Sequence, residues 1–172
     1  MEGTVARKPA VAGQFYPGDA DRLREMVRRF IADSSVRPAP EETVAIVSPH
    51  AGYVYSGATA GYAYARVKGK RPKRVLLLGS SHRYHIATAA VFPRGAFETP
   101  TGVFPIDEAL AGRIASELGF EAVEPHLYEH SLEVQLPFLA EAIGPTPIVP
   151  VLFGAPAGEA HARAGEQLAG AA

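Results

Sequence analysis

The chain has 172 residues, of which 47% are apolar and 20% charged, and its net charge is −1. This composition is typical of one folded domain with a substantial core, and such a balanced charge does not favour nucleic acid or an anionic membrane as a partner. The chain has no cysteine, which excludes disulfides and thiolate metal ligands and suits a cytoplasmic protein. We find neither a signal peptide nor an apolar stretch of about 20 residues that would span a bilayer.

The first part of the chain predicts an irregular start, a helix, a strand and a second helix. Residues 1–18 are punctuated by Gly and Pro, and Asp19 is a suitable N-cap for a helix over about 20–32, whose apolar residues recur every three or four positions. The short apolar run 43–48 predicts a buried strand. Small residues at 56–66 then favour a closely packed helix.

The rest of the chain predicts further strands alternating with helices. Strands are expected at 74–79, 88–92 and 147–153, and helices at 107–118 and 131–143, the last with a kink at Pro137. This alternation is typical of an α/β fold whose parallel or mixed sheet is covered on both faces. The tail from Ala155 is weakly helical and ends without another strand, which predicts a domain cut short.

Two histidines follow two of the predicted strands. His50 comes just after the strand at 43–48, and His82 comes just after the next. Ligands of open α/β sheets bind outside the carboxyl ends of the strands, and imidazole nitrogens suit iron, copper and zinc. The placement therefore predicts a metal site formed by His50 and His82, with His85 as an alternative partner later in the same loop. The competing interpretation is that each histidine only bonds to nearby backbone.

A third histidine stands at the start of the last long predicted helix. Ser131 as an N-cap and Glu133 in the first turn are explained by the helix start alone. His130 is not, and an imidazole at this end of a helix stays neutral because the helix dipole opposes its charge. A neutral imidazole suits hydrogen bonding or acid/base catalysis. Tyr55 is close enough to His50 along the chain to line the same pocket.

Five motifs carry a resemblance to a known family. They read PAVAGQFYP at 9–17, PHAGYVYSG at 49–57, LGSSH at 78–82, FETPTG at 97–102 and EHSLEVQLPF at 129–138. In this order they resemble the Memo family, often called AmmeMemoRadiSam system protein B in bacteria and archaea. The resemblance implies a three-layer α/β/α sandwich, LigB/phosphorylase-like, related to the class III extradiol dioxygenases.

The resemblance also implies a site. Members of the family carry a metal ion at the carboxyl edge of the sheet, and two of their histidine ligands match His50 and His82. His130 matches a histidine of the active-site pocket in the related dioxygenases and is expected to act as the catalytic acid/base. The expected cofactor is an iron or copper ion. The residues expected to bind substrate are Tyr55, Ser81 and Glu129.

The chain departs from the family pattern after these motifs. Family members continue with a Ser-Ser-Asp-x-x-His segment and a cysteine that completes the metal site, and this chain has neither. Residues 1–172 are therefore expected to form a single Memo-like domain truncated at its C-terminus. Three functions stay open: a metal-dependent redox or dioxygenase-like protein, a binding or adaptor protein whose pocket takes a peptide or small molecule, and an inactive fragment. The family implies association with radical-SAM and AMMECR-type proteins.

Overall fold

A computed structural model of the chain describes residues 6–118, 122–154 and 156–171. The strands in these ranges are β1 (Ala6–Arg7), β2 (Val75–Ser80), β3 (Ala89–Val91), β4 (Ala96–Thr99), β5 (Gly102–Pro105) and β6 (Ile148–Phe153). The helices are α1 (Ala20–Asp33), α2 (Tyr53–Arg66), α3 (Glu108–Leu118), α4 (Glu124–Leu127), α5 (Leu136–Ala142) and α6 (Glu159–Ala171), with a 3₁₀ turn at Glu133–Gln135. The predicted α/β class is confirmed.

The strands form two mixed sheets. In the first sheet, β6 lies between β2, to which it is parallel, and β3, to which it is antiparallel. In the second sheet, β4 pairs in parallel with β1 and antiparallel with β5. The strand β6 is apolar and almost entirely buried, as expected of a central strand that has neighbours on both edges and is covered on both faces. The sequence predicted β2, β3 and β6 but none of the three strands of the second sheet.

The segment 43–48 is not the buried strand that the sequence predicted. It forms no ladder with any strand in the described ranges, and Val44 and Val47 are 95% and 97% exposed. An apolar run becomes a strand only where a neighbour pairs with its backbone groups, and the pattern of one run does not reveal whether such a neighbour exists. His50 therefore follows an irregular segment.

The helices agree more closely with the sequence. The Asp19 side chain accepts a hydrogen bond from the Arg22 N–H at 2.9 Å and so caps α1 as predicted. The helix α2 begins at Tyr53, three residues earlier than expected, and packs closely against α1. A Cβ atom on Gly61 would lie 2.2 Å from the backbone oxygen of Phe30, so this close approach requires glycine.

The predicted helix at 131–143 is α-helical only from Leu136. A 3₁₀ turn precedes α5, and Pro137 lies in the first turn of α5, where the missing proline N–H leaves no hydrogen bond broken. Proline therefore starts this helix rather than kinking it.

The helices form two groups. The first contains α1, α2 and α5, which pack together, and the second contains α3 and α6, with α3 also contacting β3 and β6. No helix in the parts of the chain that the structure describes is long and apolar enough to cross a membrane.

Candidate functional site

Three histidines from different parts of the chain converge at one place. His50 lies just before α2, His82 follows β2, and His130 lies between α4 and the 3₁₀ turn. The ring centroids are 5.2 Å apart for His50 and His82, 4.6 Å for His82 and His130, and 5.9 Å for His50 and His130. One nitrogen of each ring lies within 4.8 Å of one nitrogen of each of the other two. This spacing is compatible with a shared metal ion.

The three imidazoles line an open cleft of about 590 Å³. Its lining also includes apolar and aromatic groups, and the Phe15 ring centroid lies 4.8 Å from that of His130. Tyr55 lines the cleft as the sequence predicted, and it is 87% exposed. The site is therefore accessible from solvent on the side of Tyr55. The complete lining is Phe15, Pro49, His50, Ala51, Gly52, Tyr55, His82 and His130.

Hydrogen bonds from the 3₁₀ turn fix the segment that carries His50. The Gln135 Nε2 atom donates to the Pro49 carbonyl at 3.0 Å. The Tyr53 hydroxyl donates to the Val134 carbonyl at 2.7 Å, and burial raises the pKa of Tyr53 well above its usual value, so this hydroxyl stays a donor. The start of α2 is thus held against the 3₁₀ turn, only a few residues after His130.

A close approach of β2 to the segment after His130 brings His82 into the cluster. A Cβ atom on Gly79 would lie 2.5 Å from Leu132 Cδ2 and 2.7 Å from Ser131 Oγ, so any larger residue would displace these side chains. The Ser131 hydroxyl donates to the Ser80 carbonyl at 2.8 Å. The end of β2 is therefore fastened to the start of the 3₁₀ segment, next to His130.

Glu129 lies behind the cluster and binds both neighbouring segments. Its side chain is 1% exposed, and its Oε1 atom lies 3.0 Å from His82 Nδ1. It also accepts hydrogen bonds from three backbone N–H groups, those of His82 at 2.6 Å and of His130 and Ser131 at 2.8 Å. Burial alone would raise the pKa of Glu129, but the backbone N–H donors of His82 and Ser131, together with the His82 imidazole, hold the pKa below its usual value.

A second buried carboxylate anchors the N-terminal segment beneath the site. Glu133 Oε2 lies 2.6 Å from the Arg7 guanidinium, and Glu133 also accepts from the Tyr16 hydroxyl at 2.6 Å. The Arg7 guanidinium donates in turn to the carbonyls of His126 and Glu129. The sequence explained Glu133 by its place in the first helical turn, whereas the structure shows it as the centre of a buried polar network.

The imidazoles of His50 and His130 are biased toward the neutral form. Burial lowers the pKa of His50, and the neighbouring His82 lowers it further. Burial is also the main cause that lowers the pKa of His130, where His82 and His50 add to the effect and Glu129 opposes it. A neutral imidazole offers a nitrogen lone pair, so both side chains are suited to coordinate a metal ion or accept a proton at neutral pH.

The remaining predicted residues lie around the cluster in different ways. The Ser81 hydroxyl donates to the Tyr84 carbonyl at 2.8 Å and accepts from the Tyr84 N–H, so it closes a turn in the loop after β2. His85 is exposed and does not belong to the histidine cluster, so the structure places His82 rather than His85 beside His50. Phe15 and Arg7 were missed, because no local pattern marks a residue whose partners lie more than a hundred positions away.

Fold and site together define an α/β protein with an open, histidine-lined cleft. The sequence profile of the Memo-like proteins matches residues 7–172, and the chain belongs to this family. A MEMO1 family protein of Thermotoga maritima is 39% identical over 159 residues, which are 86% of this chain and 57% of that protein. A MEMO1 family protein of Pyrococcus furiosus is 43% identical over 157 residues, 87% of this chain and 53% of that protein. The chain thus spans about half the length of these curated relatives.

Proposed function

We propose that this chain binds an iron or copper ion through His50, His82 and His130. The single observation that carries the proposal is the convergence of three imidazoles from separate segments on one solvent-accessible cleft. Isolated surface histidines are common, but three of them with mutually close nitrogens and two with lowered pKa values are typical of a prepared set of neutral ligands. Imidazole suits iron, copper and zinc, and the family resemblance favours the two redox-active ions.

The residues present fit such an ion, because imidazole nitrogens are suitable ligands for iron and copper. An iron or copper ion supplies redox chemistry or activation of oxygen when it is bound. His50 and His82 hold it, while His130 completes the set as a third ligand. The open side of the cleft next to Phe15 and Tyr55 leaves room for a small molecule with an apolar or aromatic part. We propose that this Memo-family protein has a LigB-type sandwich and carries out a dioxygenase-like reaction.

His130 has an alternative role that the same geometry supports. It lies at the edge of the cleft, 16% exposed in its side chain, and its lowered pKa keeps it able to accept a proton. In that role it is the catalytic acid/base that the sequence predicted, and only His50 and His82 bind the ion. The two roles can be distinguished by removing the His130 ring. Metal affinity falls if His130 is a ligand and stays unchanged if it only transfers protons.

The second candidate function is a binding module without catalysis. The observation that favours it is the breadth of the cleft, whose open side carries Tyr55 as a highly exposed aromatic side chain. Exposed aromatic residues are enriched where proteins recognise peptides and other proteins. Association with radical-SAM and AMMECR-type proteins, and a cytoplasmic location, stay predictions from the sequence.

Calorimetric titration with anaerobic Fe²⁺ and with Cu²⁺ tests the proposal. We expect the wild-type chain to bind one ion with micromolar or tighter affinity and the double variant His50→Ala/His82→Ala to lose this binding. The matched control is His85→Ala, because this exposed histidine lies in the same loop as His82 but outside the cluster. Binding that is absent in the wild type, or that disappears equally in the control, contradicts the proposal.

The variant His130→Ala decides between the two roles of the third histidine. Loss of metal affinity comparable to that of a single His82→Ala substitution shows that His130 is a ligand. Unchanged affinity assigns it to proton transfer. If neither ion binds to the wild type, the binding module and the inactive fragment are the functions that remain, and Tyr55→Ala then tests whether the cleft recognises peptides.

A further inference from the structure

We infer that Glu129 is a positioning residue that orients His82 for metal binding and holds the His130 segment beside it. This inference rests on the proposed metal site and deepens it. The sequence suggested that Glu129 contacts substrate, but its side chain is 1% exposed and lies behind the imidazoles rather than in the lining of the cleft. A buried residue in this position can influence a bound ion or molecule only through the side chains and backbone groups that it contacts.

Glu129 contacts both the backbone nitrogen and the ring nitrogen Nδ1 of His82, so it fixes the ring as well as the backbone. Glu129 Oε2 accepts the His82 backbone N–H at 2.6 Å, and Oε1 lies 3.0 Å from Nδ1 of the same residue. An ionised carboxylate has no hydrogen to donate, so Nδ1 must carry the proton in this contact. Of the two neutral tautomers, the contact therefore selects the one whose Nε2 lone pair is free for a metal ion.

The same carboxylate connects His82 to the third histidine. Glu129 Oε1 accepts the backbone N–H groups of His130 and Ser131, and it lies 3.2 Å from His130 Nδ1. His82 and His130, which lie on separate segments of the chain, therefore share one buried anion. Both carboxylate oxygens are already engaged by N–H donors, so Glu129 is not itself placed to coordinate the ion.

The backbone of Glu129 is held from the other side. Its carbonyl accepts a hydrogen bond from the Arg7 guanidinium at 2.6 Å, so the residue cannot easily withdraw from the histidines. A carboxylate that accepts from the far nitrogen of a ligating histidine orients the ring and makes it a stronger base, and loss of such a partner typically lowers metal affinity about 10-fold to 100-fold. The negative charge of Glu129 also favours a cation in the cleft beyond it.

The first test reads the imidazole tautomer and needs neither metal nor substitution. Nitrogen-15 NMR of the metal-free wild-type protein at a pH of about 8, above the ordinary pKa of a histidine side chain, distinguishes a protonated Nδ1 from a protonated Nε2. We expect His82 to be the Nδ1–H tautomer and the exposed His85 to show the mixture of a free imidazole. A wild-type His82 that carries its proton on Nε2 overturns the inference.

The second test compares Glu129→Gln with Glu98→Gln, which removes a carboxylate that pairs with Lys8 at the surface. We expect Glu129→Gln to weaken Cu²⁺ or Fe²⁺ binding by about 10-fold to 100-fold and to shift the His82 tautomer, while Glu98→Gln changes neither. Unchanged affinity in Glu129→Gln overturns the inference. If the variant does not fold, the wild-type tautomer decides alone. If His82 is the Nδ1–H tautomer but the wild type binds no metal, the proposed function fails while the role of Glu129 in orienting His82 stands.

Discussion

The guanidinium of Arg7 and the carboxylate of Glu133 meet at 2.6 Å in the interior, with side chains that are 1% and 0% exposed. Glu133 also accepts hydrogen bonds from the Ala10 and Val11 N–H groups, so residues 7–11 are tied to the 3₁₀ turn. The Arg7 guanidinium in turn donates hydrogen bonds to the carbonyls of His126 and Glu129. This ion pair therefore links the first strand to the segment that carries His130.

Replacing Arg7 by Met should lower the free energy of unfolding by about 3 to 5 kcal/mol, because it leaves the charge of Glu133 buried without its partner. Urea denaturation measures this loss. The matched control is Lys8→Met, which breaks the neighbouring pair of Lys8 with Glu98, also 2.6 Å long but 72% exposed at the lysine. A surface pair of this kind contributes less than about 1 kcal/mol. Equal losses of unfolding free energy in the two variants would show that burial does not make the Arg7 pair more stabilising than the surface pair.

A second prediction concerns the contact of α1 with α2. Gly61→Ala should destabilise the protein by about 1 to 3 kcal/mol, because the added Cβ would lie 2.2 Å from the backbone oxygen of Phe30 and the helices would have to separate. In Gly112→Ala the new Cβ has no neighbour within 4 Å, and this exposed position in α3 should gain about 0.5 to 1 kcal/mol from better helix propensity. Thermal unfolding distinguishes the two signs, and a stabilising Gly61→Ala would contradict the close packing.

A third prediction follows from the buried His126. Its Nε2 atom donates to the Ala90 carbonyl at 3.2 Å, whereas Nδ1 has no partner within the described residues. The pKa of His126 is lowered from 6.5 to about 3, mainly by burial; the charge of Arg7 adds to this shift, while the Ala90 bond and Glu129 oppose it. Between these two values the unfolded chain binds a proton that the folded chain does not bind. The free energy of unfolding should therefore fall as the pH is lowered from about 6.5 toward 3.

The variant His126→Gln provides the control for this dependence. Glutamine can still donate to the Ala90 carbonyl but does not titrate, so the difference in stability between wild type and variant should shrink as the pH falls. Other histidines contribute equally to both proteins and cancel in that difference. Urea denaturation at several pH values measures it, and a difference that does not change with pH would show that His126 is not buried in its neutral form.

The features that the sequence predicted well are local ones. The cap at Asp19 and the apolar spacing of α1 lie within a few residues of one another, and so they could be recognised without knowledge of the fold. His50 and His82 were recognised because each follows an apolar run that ends in turn-forming residues, and His130 because a capped helix start did not account for it. The resemblance to the Memo family joined these three residues into one expected site.

The features that the sequence did not predict depend on distant partners. Arg7 and Glu133 are 126 residues apart, so nothing near Arg7 shows that it will be buried beside a carboxylate. The role of Glu129 likewise depends on a loop that lies 47 residues earlier in the chain. Strand pairing also depends on residues that are distant in sequence. For this reason the apolar run at 43–48 was wrongly predicted to be a buried strand, whereas the similar run of β6 was predicted correctly.

A last prediction tests that correction directly by comparing two valines. Val151 in β6 is fully buried and pairs with Leu78 of β2 and Val91 of β3, whereas Val47 is 97% exposed. Val151→Ala should lower the free energy of unfolding by about 2 kcal/mol, because it removes buried apolar surface from the central strand. Val47→Ala should change it by less than about 0.5 kcal/mol, as is usual at exposed positions. Urea denaturation of both variants is the measurement, and a comparable loss in Val47→Ala would mean that 43–48 is buried in solution and that the strand predicted from the sequence exists.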